Sequence, residues 1–238
     1  MTIPIRRVDH MPTSSSQSDI RPIVLAAAFL ITGFLLAPAI IELPFFVSKG
    51  YHEGWVAFHA AHIFGEEALY PERGALYANN YPPVFFYMLA GLGSLIGDHI
   101  IAGRLVSMIG LLWVGVGIAA IVRLLGGDLF IALFSGLLFV SYLAAYHGYF
   151  VGMSEPQLFG HAIMLSGLIV FLRGGGRRPY LFLTALVMLI AGLVKNNLIA
   201  LPIALTIWLF FYARKDFIFW LSASFFRCPP GKREARGG

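Results

Sequence analysis

The stretch VFFYMLAGLGSLIG, Val84–Gly97, decides the topology of this chain. It is apolar from end to end. Its 14 residues nevertheless reach only about one half to two thirds of what a helix needs to cross a bilayer. A run of that length is more typical of an interfacial or re-entrant helix than of a span. Charge separates the two cases. If the stretch crossed, Arg173, Arg177 and Arg178 would fall outside, against the excess of basic residues on the cytoplasmic side. If it stays at the outer boundary, all clustered basic residues fall inside. The expected spans are then 22–47, 101–122 ending inward at Arg123, 129–147, 156–172 ending inward at Arg173, 180–194, and 197–213 ending inward at Arg214 and Lys215. Arg6, Arg7 and Arg21 precede the first span and assign the N-terminus to the cytoplasm.

Working outward, the composition agrees with a polytopic all-α transmembrane bundle. Hydrophobic residues make up 58% of the 238-residue chain and charged residues 12%, about half the share in a soluble domain. Mean hydropathy is +0.79. Net charge is +5, but the basic residues sit at the ends of apolar runs and form no separate patch with aromatics. That distribution serves membrane orientation and gives no support to a nucleic-acid partner. The lone Cys228 excludes an internal disulfide and any CxxC metal pattern.

Residues 1–21 read as a polar cytoplasmic tail, with Ser14, Ser15 and Ser16 in a row. The apolar run that follows is too long for a signal-peptide core and reads as a retained span. Pro38, Glu42 and Pro44 predict a kink in its outer half. Residues 22–215 form one membrane domain of about six spans with an outer loop over 48–100. Residues 216–238 read as a partial span and an irregular basic tail, as expected of a truncated or frame-shifted reading of a longer protein.

Within the outer loop, Tyr51, Trp55, Phe58 and His62 recur on one helical face, which predicts a helix lying along the membrane surface. Under this topology Glu53, Arg104, Glu155 and Lys195 share the outer side. Ionisable groups at membrane depth cost about 2.5–3.5 kcal/mol on insertion scales, so those retained usually face a cavity or a partner.

The order of short motifs resembles a known family. His52-Glu53-Gly54-Trp55 opens the surface helix and Leu69-Tyr70-Pro71 follows. Asn79-Asn80-Tyr81-Pro82-Pro83 leads an apolar helix, and Ala102-Gly103-Arg104-Leu105-Val106-Ser107 opens a span. Ser154-Glu155-Pro156 and Leu193-Val194-Lys195-Asn196 come in turn. Over residues 22–215 this order is similar to the N-terminal half of the type C glycosyltransferases. These include the protein O-mannosyltransferases and the bacterial aminoarabinose transferases. The resemblance implies a polyprenyl-phosphate sugar donor, an acceptor hydroxyl and a bacterial-style inner membrane. It implies Glu53 as general base, where the family usually carries Asp followed by Glu. It matches Glu155 to a second acidic position and Lys195 to the family's lysine, with Arg104 and Tyr81 as further substrate-binding candidates. A phosphate leaving group needs no general acid. The acceptor needs a base, and the departing phosphate needs a cation. Arg104, Lys195 or a divalent metal held partly by Glu155 would supply that charge.

Plainer readings stand beside these. Glu53 and Glu155 are each suited to a helix N-terminus by the dipole alone. Lys195 could simply snorkel to the interface, and Arg104 could be structural. His52, His59 and His62 lack the HExxH spacing and read as interfacial. Glu66-Glu67 is a weaker competitor for the base role. Gly174-Gly175-Gly176 reads as an inner turn. Two further functions fit the composition: a transporter or flippase of a lipid-linked substrate, and an inactive remnant of a larger enzyme. No internal repeat favours transport.

Overall fold

The computed structural model describes residues 20–65, 69–70 and 79–224. The expectations for residues 1–19, Glu66-Glu67, Pro71, Cys228 and the basic tail lie outside the described residues. Among the described residues every regular element is an α-helix: α1 Ile20–Glu42, α2 Tyr51–His62, α3 Pro83–Ile96, α4 His99–Leu124, α5 Leu129–Tyr146, α6 Pro156–Gly174, α7 Arg178–Val194, α8 Ala200–Tyr212 and α9 Arg214–Ser224.

Local chemistry sets the boundaries. Asp98 and Asp128 cap α4 and α5, their carboxylates accepting from the amides of Ile101 and Ile131 at 2.8 Å each. Prolines stand in the first turns of α3, α6 and α7, where a missing N–H costs nothing. Gly97 ends α3 in the left-handed region at φ 89°, which reverses the chain into α4.

Helices α1, α4, α5 and α6 are long and apolar enough to cross a membrane, which makes this a multi-pass membrane protein. Large apolar side chains point away from the protein, Phe34 being 79% exposed, as expected where the surrounding solvent is hydrocarbon. The fifth and sixth expected spans fall on α7 and α8, which are shorter at 17 and 13 residues. Helix α1 stops at Glu42 rather than at 47. It continues through Pro38, whereas Pro44 lies in the irregular segment beyond.

Helix α4 is the central element, packed on α2, α3, α5 and α6. Three apolar clusters surround it. Leu36 and Ala39 of α1 meet Met108, Leu111 and Val140. Val56 and Ala60 of α2 meet Phe85, Phe86, Leu89 and Ala102. Met164, Leu181, Met188, Leu205, Leu209 and Trp220 join α6 to α9. Within the apolar layer, Thr32 of α1 and Ser141 of α5 share a hydrogen bond at 2.7 Å. One end of the bundle gathers basic residues: Arg21 pairs with Asp128 at 3.0 Å, Arg123 donates to the Gly127 carbonyl, and Arg178 lies over Phe219.

Helix α2 packs through Glu53, Val56, Ala57, His59 and Ala60. The aromatic stripe read from the sequence is mostly the other face, with Tyr51 78% and Phe58 40% exposed. Trp55 bridges the two, its ring edge-on to Tyr81 and Phe86.

Candidate functional site

Two of the ion pairs at the end of the bundle opposite the basic cluster contain the candidate residues. They begin with Arg104, in the second turn of α4. Its guanidinium is 1% exposed and uses all five N–H groups. Nε donates to Glu53 Oε1 at 2.8 Å, and Nη2 donates to Glu53 Oε2 at 2.7 Å. Nη1 donates to the carbonyls of Glu42 and Phe45 at 2.7 and 2.6 Å, and Nη2 also to Val47 at 2.8 Å. The cation thus donates to the last carbonyl of α1 and to two carbonyls of the segment just beyond it, with the charge sign that a helix C-terminus favours.

Glu53 is equally saturated. It is fully buried in the first turn of α2. Besides Arg104, its Oε2 accepts from the Lys49 amide at 2.7 Å and its Oε1 from the Ser154 amide at 2.9 Å. Burial pushes the Glu53 carboxyl upward. The Arg104 hydrogen bond, the two amides and the Arg104 charge outweigh burial and hold the group below its ordinary value. Its place in the first turn of α2 is also the one that the helix dipole favours. In this arrangement the carboxylate presents no open face to an acceptor, and Arg104 has no donor left for a phosphate.

The second pair is open. Lys195, the residue that ends α7, extends its Nζ to 2.6 Å from Glu155 Oε1. The same Nζ lies 3.9 Å from the centroid of the Tyr81 ring. Glu155 precedes α6 without capping it; its side chain turns to Lys195 instead. The lysine side chain is 8% exposed, so it does not snorkel free, while that of Glu155 is 21% exposed. Glu155 also borders a cavity of about 480 Å³ together with His52, Tyr81, His147, Met153 and Gln157.

The two pairs are joined. Ser154, held by Glu53, is the neighbour of Glu155. On α4, one turn after Arg104, the Ser107 hydroxyl donates to the Glu155 carbonyl at 2.9 Å and accepts from the Glu155 amide at 3.1 Å. Gly103 makes room for this approach: a Cβ there would stand 1.8 Å from Ser154 Oγ. All five candidate residues, Glu53, Arg104, Glu155, Lys195 and Tyr81, therefore belong to one contiguous network. Tyr81 precedes α3 and Arg104 follows it. At 14 residues α3 is shorter than the four helices that are long and apolar enough to cross a membrane.

Ser107 and Lys49 were not singled out by sequence reasoning. A serine in an apolar helix carries no distinguishing signal, and Lys49 contributes chiefly its backbone. Lys49 Nζ additionally pairs with Glu42 Oε2 at 2.5 Å and donates to the Val151 carbonyl at 3.3 Å. Of the three histidines in α2, His59 is buried against Trp55, Phe58 and Phe86, and His62 bonds the Phe58 carbonyl within its own helix. Among the described residues no three His, Cys, Asp or Glu side chains converge as a metal-binding group. The chain matches no protein-family model, no curated protein and no solved structure.

Proposed function

We propose that this chain is a membrane glycosyltransferase, or the N-terminal part of one. It transfers a sugar from a polyprenyl-phosphate donor to an acceptor hydroxyl on the periplasmic side of an inner membrane, with its N-terminus in the cytoplasm. The observation that carries this reading is the Lys195–Glu155 pair, 2.6 Å apart, whose glutamate and whose aromatic neighbour Tyr81 border an open cavity. An apolar tail would lie among the helices while its phosphate reached the ammonium. Lys195 supplies the charge that a departing phosphate needs. Glu155 has one oxygen engaged by Lys195, and its second faces the acceptor proton. The acceptor oxygen attacks the anomeric carbon and the carbon–oxygen bond to phosphate breaks. The hydroxyl proton passes to the Glu155 carboxylate, and polyprenyl phosphate leaves. Glu53, the base implied by the family resemblance, would reach an acceptor only after its pair with Arg104 opened. The supporting points are the order of the motifs, the convergence of the five residues, and the chemical fit of an ammonium beside a carboxylate.

The test is release of polyprenyl phosphate from a polyprenyl-phosphate sugar by the full chain in lipid nanodiscs, with a panel of hydroxyl acceptors. Lys195→Ala is expected to lower turnover by about 10²-fold, the scale of removing one charge-stabilising donor, with the melting temperature little changed. No release above protein-free nanodiscs would overturn the reading. Counterflow of intact donor in proteoliposomes would put transport in its place.

A further inference from the structure

We propose that Ser107, together with the Arg104–Glu53 pair, positions the catalytic carboxylate. These residues of α4 and α2 hold residues 154–155 so that Glu155 meets Lys195. This inference rests on the reading of Glu155 as the proton acceptor. A carboxylate at a helix N-terminus is ordinarily drawn to the free amides of its own first turn. Glu155 makes no such bond. Its backbone is instead held on both sides by one hydroxyl, with the Ser107 Oγ bonded to its amide and its carbonyl. The residue before it is fixed by the Ser154 amide on Glu53. Ser107 is 1% exposed and Ser154 fully buried, so water does not substitute for these bonds. With its main chain set from both directions, the Glu155 side chain leaves toward the cavity rather than back over α6.

Arg104 and Glu53 thereby act at a distance from the cavity. Their charges cancel each other while the geometry they impose passes through a single peptide to Glu155. Misplacement of a reacting group by about 1 Å can cost about 10²-fold in rate, which makes such a hold worthwhile for a side chain on an otherwise irregular segment.

Coupling with a membrane-permeant carbodiimide tests this directly, because it joins a carboxylate to an amine only where the two touch. Among the described residues there are two such pairs, Glu155–Lys195 at 2.6 Å and Glu42–Lys49 at 2.5 Å. Peptide mass spectrometry reads each amide separately. Ser107→Ala should reduce the Glu155–Lys195 product several-fold and leave the Glu42–Lys49 product unchanged. In the transfer assay the same variant should lower kcat by about 10- to 100-fold with KM for the donor unchanged, since Lys195 remains. Ser107→Cys preserves the volume with a weak hydrogen-bonding group; it guards against loss of folding and should show the same selective loss. Unchanged coupling of both pairs, or a parallel fall in both, would overturn the proposal. A selective fall in a protein that releases no polyprenyl phosphate supports the positioning and removes the transfer reading instead.

Discussion

The Arg104–Glu53 and Lys195–Glu155 pairs contain the same chemistry and are built in opposite ways. Between Arg104 and Glu53 all five guanidinium donors are used, and the carboxylate accepts from four N–H groups. Neither side chain is more than 1% exposed. Between Lys195 and Glu155 there is one bond, an aromatic face and a cavity. A saturated buried pair fixes geometry, because moving either partner strands a charge in low dielectric. An unsaturated pair at a cavity edge has capacity left for a ligand. The family resemblance assigns chemistry to both, whereas their surroundings divide the work between them.

The largest expected effect strikes the closed pair. Arg104→Met leaves Glu53 charged and without its partner, which should cost about 3–5 kcal/mol of stability. Thermal unfolding in nanodiscs measures it, and the double variant Glu53→Gln, Arg104→Met should recover part of the loss. The comparison breaks if Lys195→Ala, which leaves a partly hydrated carboxylate, destabilises as much; we expect about 1 kcal/mol or less.

Acid provides the next test. The folded Glu53 carboxyl titrates below its ordinary value of 4.5. Its contribution is therefore complete above that value and is lost as pH falls through the lower folded value. The melting temperature should drop on acidification below about 4.5, and Glu53→Gln should flatten the profile in that window. A Glu53→Gln variant with the wild-type acid limb would show that other carboxylates set it. The smallest effect sets the baseline for polar contacts in the apolar layer. Thr32→Val breaks the bond to Ser141 and should cost about 0.6 kcal/mol by the same unfolding measurement.

Much of the fold was legible because bilayer crossing depends on two properties that a chain displays openly, apolar length and the side on which bases gather. Apolar length gave α1, α4, α5 and α6, and it set α3 apart as a shorter helix. Length was less informative at α7 and α8, which fall short of the four longer helices, and α8 is also shorter than the run 197–213 read from the sequence. The end of α1 was misjudged because Arg104, more than fifty residues away, takes the carbonyls of Glu42, Phe45 and Val47 and stabilises an early exit from the helix. The candidate residues were legible as ionisable groups expected to share one side of the membrane. Their partition into a closed and an open pair was not. It depends on which carbonyls, amides and ring faces converge in space, and no periodicity encodes that. Ser107 was hidden for the same reason, since its role exists only where α4 meets residues 154–155. The stripe of Tyr51, Phe58 and His62 shows a related limit: periodicity identifies an apolar face, but not whether lipid or protein covers it.

The separations along the chain also set an order of assembly. Glu53 and Arg104 are 51 residues apart, and both have been synthesised before α5, α6 and α7 begin to emerge from the ribosome. The buried charges can neutralise each other while the chain is still growing. Ser154 comes next and adds its amide to a carboxylate already in place. Lys195 arrives 40 residues after Glu155, so the carboxylate beside the cavity gains its partner only when the seventh helix is finished. A nascent chain stopped before that helix would hold the Arg104–Glu53 pair and leave Glu155 without its lysine.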